Sequence, residues 1–210
     1  EPTGEAPNGE VEDHLAPVGE EMPMIGVAKR AVSVERVNDI ESTVTYEILL
    51  ENYGNVPLSD VNAIMDLALV FADAEAWVLE SYTSGEFVVN PTFDGENDID
   101  LLAMGNTLEI GGQGRIEVVV RIDPGNNPGP YVCSTIGRGT SPGGEEVDDE
   151  SQDGEDPDPT DDGNPNDDDE PTVVILVINI LEIPTLSQIG LGLLVLLLAA
   201  AGMVTMRRRG

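Results

Sequence analysis

The sequence predicts an all-β sandwich followed by a single C-terminal transmembrane α-helix, and three observations carry that expectation. Alternating apolar and polar residues, rich in β-branched types, recur between Val27 and Ile122. Turns rich in Gly, Pro, Asn and Asp punctuate them. Near the end, residues 189–206 form an uncharged stretch that runs directly into three arginines. The chain has 210 residues. With roughly the last 40 and the residues before Val27 set aside, about 150 remain for folded structure, which suits one domain with appendages.

The first element is an acidic leader, residues 1–26, with 7 acidic residues and no basic one. No basic segment followed by an apolar run opens the chain, so a signal peptide is not expected there. The leader reads as the end of a preceding module in a longer protein. His14, the single histidine, sits in it among polar residues and is expected to be exposed.

The body, residues 27–181, is expected to hold the strands. In residues 43–51, Val44, Tyr46, Ile48 and Leu50 share one face, while Thr45, Glu47 and Glu51 share the other; Leu49 is the exception. Residues 115–122 repeat the pattern, with Ile116, Val118, Val120 and Ile122 inward and Arg115, Glu117 and Arg121 outward. Residues 27–37, 60–70, 76–83, 86–89, 107–110 and 130–139 are further strand candidates. Turns are expected at 52–55, 93–95, 111–114 and 123–125. Seven or more short strands with such turns point to a sandwich with Greek-key connections. Residues 66–76 also fit a short helix, since Leu67, Val70 and Phe71 share a helical face; a strand with a bulge is the expectation. Trp77 is expected in the core and Cys133 as a small buried apolar residue.

Charge and composition restrict function. The 41 acidic and 9 basic residues give a formal net charge of −32, which repels phosphates, so nucleic acid is not an expected partner. One cysteine cannot form an intrachain disulfide, and one histidine argues against a Ser-His-Asp triad or a multi-histidine metal site. Carboxylates are abundant, but no basic or histidine partners point to a catalytic cleft, so no enzyme activity and no catalytic residue are expected.

The acidic segment, residues 145–170, has 15 acidic residues in 26 and no basic one. Calcium takes six to eight oxygen ligands, and closely spaced Asp with Gly at a sharp turn can supply them. A twelve-residue calcium-loop register starting at Asp158 places Thr160 third, Asp162 fifth, Gly163 sixth, Asn166 ninth and Asp169 twelfth. Asp158, Asp162 and Asp169 are thus the candidate Ca2+ ligands. The twelfth position lacks the bidentate Glu, and Pro157, Pro159, Pro165 and Pro171 exclude flanking helices. The competing reading is a solvated, self-repelling linker whose one hydrophobic anchor is Val147. Residues 172–181 (TVVILVINIL) are an unbroken apolar run, which suits a strand buried on both faces or one leading into a membrane.

Residues 182–210 form the tail. A helix over 189–206 is about 27 Å long, close to the hydrocarbon thickness of a bilayer. Arg207, Arg208 and Arg209 follow it and, by the positive-inside rule, stay cytoplasmic, which places the acidic body outside and makes the lipid bilayer a partner.

Several segments resemble known families. Residues 43–48 (TVTYEI) with 51–58 (ENYGNVPL), and the later residues 90–95, Leu101-Leu102, Thr107-Leu108 and 137–144, are similar to a repeat domain of large bacterial surface proteins, domain-of-unknown-function family 11. That resemblance implies an immunoglobulin-like β-sandwich with no catalytic role, in which the acidic segment is a long loop before the last strand. Residues 9–13 (GEVED) resemble the end of a GEVED-type domain. Ile183, Pro184, Thr185, Leu186 and Gly190, ahead of the apolar stretch and the arginines, resemble the IPTL-CTERM sorting domain, pattern IPTLxxWG; Ile189 stands where that pattern has Trp. This resemblance implies recognition in the membrane by an exosortase, a processing enzyme of Gram-negative bacteria. Cleavage near the motif then passes an inner-membrane precursor to the cell surface. The expected function is therefore that of a surface-displayed structural or adhesion protein with a disposable sorting tail. A calcium-dependent adhesion module on a plain membrane anchor is the alternative, and the surface ligand is undetermined.

Overall fold

The computed structural model describes residues 19–178 and Leu196. The backbone divides into two compact units, Glu1–Val177 and Ile178–Gly210. The described residues of the first are nearly all β, consistent with a β-sandwich. In chain order its strands are β1 (Ile25–Arg36), β2 (Ser42–Asn52), β3 (Leu58–Ile64), β4 (Ala76–Ser84), β5 (Thr107–Leu108), β6 (Gln113–Asp123), β7 (Tyr131–Cys133), β8 (Ile136–Thr140), β9 (Glu146–Glu150), β10 (Gln152–Asp153) and β11 (Thr172–Val174).

A five-stranded sheet runs β10-β1-β2-β6-β4, a four-stranded sheet runs β5-β3-β8-β9, and β11 pairs with β7. The antiparallel register of β2 on β6 sets Val44 opposite Val120, Tyr46 opposite Val118 and Ile48 opposite Ile116. All six are buried on one face, as alternation dictates. They share one core with Val27 of β1, Leu58 and Val61 of β3 and Tyr131 and Cys133 of β7. Burying an aliphatic side chain of this size contributes about 1.5–3 kcal/mol. Gly137 of β8 marks the closest approach: a Cβ there would stand 3.0 Å from Leu50 Cδ2 and nearer still to Val27.

Five expectations need correction. The strand expected over 60–70 ends at Ile64, and Leu67–Val70 is a single helical turn, because the Asp66 carboxylate accepts the Leu69 amide at 2.8 Å and caps it. Residues 86–89 make one isolated bridge, Val89 to Leu102, rather than a strand. Residues 130–139 divide into β7 and β8 around Thr135, whose amide donates to the buried Ser151 Oγ at 2.9 Å. Trp77 is half-buried, flanking the core with its ring centroid 6.5 Å from that of Phe71; Cys133 is fully buried. Of the strand expected over 172–181, residues 179–181 lie outside the described residues, and 172–178 are not buried on both faces. Among these only Thr172–Val174 pairs; Val174 and Leu176 are buried while Val173, Ile175 and Val177 are exposed, since one face meets the core and the other solvent.

The acidic segment is built into the fold. Its first part is β9, which pairs along β8 from Glu146–Thr140 to Glu150–Ile136, and β10 runs parallel to β1 with Asp153 opposite Lys29. Carboxylate-rich strands lack the apolar alternation that reveals strands in sequence, and their pairing comes from backbone hydrogen bonds. The body also begins before Val27: Asn55 donates its amide to the Met22 carbonyl, and Tyr53 and Gly54 donate theirs to Met24.

Among the described residues no helix is long and apolar enough to cross a membrane. The expected helix, residues 189–206, lies outside the described residues except for Leu196, which is helical. His14 and residues 9–13 also lie outside them.

Candidate functional site

Asp158 anchors the acidic loop. The residue is 4% exposed. It accepts the Gly163 amide at 2.7 Å, the Asp162 amide at 3.3 Å and the Thr160 hydroxyl at 3.1 Å. The tight turn this requires puts Asp161 and Gly163 at φ +58° and +82°. A Pro165–Asp167 3-10 turn follows, and Asp168 returns to within 3.3 Å of Thr160 Oγ1. Asp168 is buried, and desolvation raises its carboxyl above the ordinary range, opposed by the Thr160 hydrogen bond and reinforced by Asp167 and Asp158.

The three expected calcium ligands stand in different settings. Asp158 turns onto its own loop's amides, Asp162 accepts the Asn164 amide at 2.9 Å on the surface, and Asp169 is exposed. Among the described residues no group of three or more His, Cys, Asp or Glu side chains is placed to hold a metal ion. The residue that comes back beside the Asp158 loop is Asp168, not Asp169.

Asp149, on β9, is a second buried carboxylate, accepting the Val27 amide at 2.7 Å. Burial pushes its pKa up to about 7, against the stabilising Val27 bond, with further upward pressure from Asp169, Asp148 and Glu150. Beyond it, a concavity of about 910 Å³ is lined by Asn62, Asn90, Asp98, Asp100 and Arg138 among others. Here amides hold the carboxylates: Asn62 donates to Asp100 at 2.7 Å and Asn90 to Asp98 at 3.0 Å.

The third polar cluster lies in the core. Lys29 on β1 is fully buried, and its Nζ donates to Cys133 Sγ. The ammonium position is 4.8 Å from the centroid of the Tyr46 ring. Desolvation lowers the Lys29 pKa, opposed by Cys133 and by Asp153. The Tyr46 hydroxyl is buried with no hydrogen-bond partner among the described residues. Sequence reasoning passed over Lys29, although the period-two row Ile25, Val27, Lys29, Ala31 places it on the inward face.

The sorting residues Ile183, Pro184, Thr185, Leu186 and Gly190, and Arg207, Arg208 and Arg209, lie outside the described residues. By comparison with known families, residues 183–208, which include the five motif residues, Arg207 and Arg208, match the IPTL-CTERM motif. The chain thus carries a C-terminal sorting signal of the kind found on surface proteins. That signal is associated with exosortase-type processing and implies a membrane-anchored precursor that becomes a surface form. No curated protein matches the chain. Among solved structures, an inactive mutant of the GH20 exo β-N-acetylglucosaminidase from Vibrio harveyi is similar with a TM-score of 0.36 and 12% identity, over 62% of this chain and 18% of that one. A family 123 glycoside hydrolase from Clostridium perfringens, described for glycolipid glycan hydrolysis, is similar at a TM-score of 0.28 and 8% identity, over 73% of this chain and 28% of that one. Likenesses this slight assign neither fold nor activity.

Proposed function

We propose that this chain is the C-terminal portion of a bacterial surface protein, exported as a membrane-held precursor and released to the surface by an exosortase-type enzyme of a Gram-negative cell. The match of residues 183–208 to the IPTL-CTERM motif carries this reading. The motif residues are the substrate element, the apolar stretch retains the precursor in the bilayer, and Arg207–Arg209 hold its end in the cytoplasm. The body is a structural or adhesion module of immunoglobulin-like type, displayed outside and without catalysis. Support for a scaffold role comes from its polar groups: the buried carboxylates of Asp149 and Asp158 accept backbone amides and hold loops in place.

The mass of the mature C-terminus, taken from the producing cell, tests the proposal. A terminus within residues 183–190 is the expected result. Surface protein that still ends at Gly210 would reduce the tail to a plain anchor. Calcium binding by Asp158, Asp162 and Asp169 is tested separately, by calorimetry and melting at millimolar Ca2+. The capped state of Asp158 predicts no heat and no shift.

A further inference from the structure

The chain has one lysine, Lys29, and one cysteine, Cys133. The fold brings these two side chains together, across 104 residues of sequence, inside a core where both are fully buried. A buried amine is ordinarily offset by a carboxylate; Asp153 on β10 lies opposite Lys29, but the Lys29 Nζ donates to a thiol sulfur, with the face of Tyr46 beside it. The Cys133 thiol in turn donates to the Ser134 carbonyl at 4.0 Å, which leaves a sulfur lone pair toward Nζ. The buried Tyr46 hydroxyl, with no hydrogen-bond partner among the described residues, adds a further polar atom to the same core.

We infer that Lys29 and Cys133 form a covalent modification site, joined by an Nζ–Sγ sulfenamide bond when the chain meets hydrogen peroxide. In the first step sulfur attacks peroxide: an S–O bond forms, the O–O bond breaks, sulfur loses two electrons, and the released oxygen leaves as water with the thiol proton. In the second step the Nζ lone pair attacks the sulfenic sulfur: the S–N bond forms, the S–O bond breaks, and hydroxide leaves as water with an amine proton. Thiol, amine and one peroxide thus give one S–N bond and two waters. The second step needs a neutral amine, and burial favours that form of Lys29. Peroxide reaches sulfur when the short β7–β11 ribbon, in whose register Cys133 lies opposite Thr172, opens locally. An exported chain meets oxidants more readily than a cytosolic one, but the inference rests on the core geometry alone.

The full-length chain in detergent, treated with hydrogen peroxide and then digested after glutamate, provides the test. The expected product joins residues 22–35 to residues 118–145, with a mass two hydrogens below the sum of the two peptides. Dithiothreitol should separate them, and the joined chain should resist a lysine-specific protease, which otherwise cuts once, after Lys29. Closing a loop of this length should raise the melting temperature by roughly 10 °C. Cys133→Ser should abolish every one of these effects; if that variant does not fold, the treated and untreated parent chain still decides. A residue 118–145 peptide that stays unmodified, that carries oxygen without being joined, or that is joined through an added oxygen overturns the assignment.

Discussion

Asp149 on β9 reaches across 122 residues of sequence to accept the Val27 amide on β1, through a 2.7 Å bond closed off from solvent. A strand of the acidic segment is thereby pinned to the first strand of the body by a carboxyl group that burial makes hard to ionise.

Stability should therefore respond to pH with a definite sign. Unfolded, Asp149 titrates at about 3.9; folded, burial pushes it up to about 7. Between these values the folded state holds the extra proton, so this group's contribution is fully present below about pH 4 and is lost as pH rises through 7. Asp149→Asn keeps an acceptor for Val27 and removes the charge. Urea unfolding should show the variant matching the parent near pH 4 and exceeding it by about 1–3 kcal/mol at pH 8. Asp94 has the opposite sign. Amides of Asp98 and Glu96, and also of Asn97, hold its pKa down to about 2, so its contribution is present above about pH 4 and is lost as pH falls through 2.

Within the acidic loop the candidate calcium ligands should behave unequally. Asp158→Ala leaves the Gly163 and Asp162 amides without their acceptor and should cost about 1–3 kcal/mol. Asp169→Ala, at an exposed position, should change stability by less than about 0.5 kcal/mol. Equal effects measured in denaturant titrations would count against the capping role.

Close contact between the sheets should be visible at glycine. Gly137→Ala places a methyl group against Val27 and Leu50 and should destabilise by about 1–3 kcal/mol. Gly85→Ala, with nothing within 4 Å, should stay within about 0.5 kcal/mol of the parent. Paired thermal melts check the contrast.

Sorting should depend on the motif and leave the body's folding unchanged. Pro184→Ala and Leu186→Ala should each reduce C-terminal processing roughly tenfold, the loss expected when a recognition contact worth about 1.4 kcal/mol is removed. Ile189→Trp restores the residue of the sorting pattern and should raise processing. Quantifying intact and trimmed C-terminal peptides in membrane and surface fractions measures both.

The sequence by itself determined the two long central strands, because Val44 to Leu50 and Ile116 to Ile122 alternate with a period that permits one buried face. It also determined the sorting signal, which is linear: the match runs over residues 183–208 and is legible from the chain alone. Tertiary structure alone decided what the acidic segment does. Fifteen carboxylates in 26 residues read as solvated in isolation, yet β8 and β1 offer free backbone groups along which β9 and β10 pair. The same holds for Lys29 and Cys133: each looks unremarkable in its own strand, and only the folding of β1 against β7 encloses them together, where exclusion of water changes the chemistry available to both.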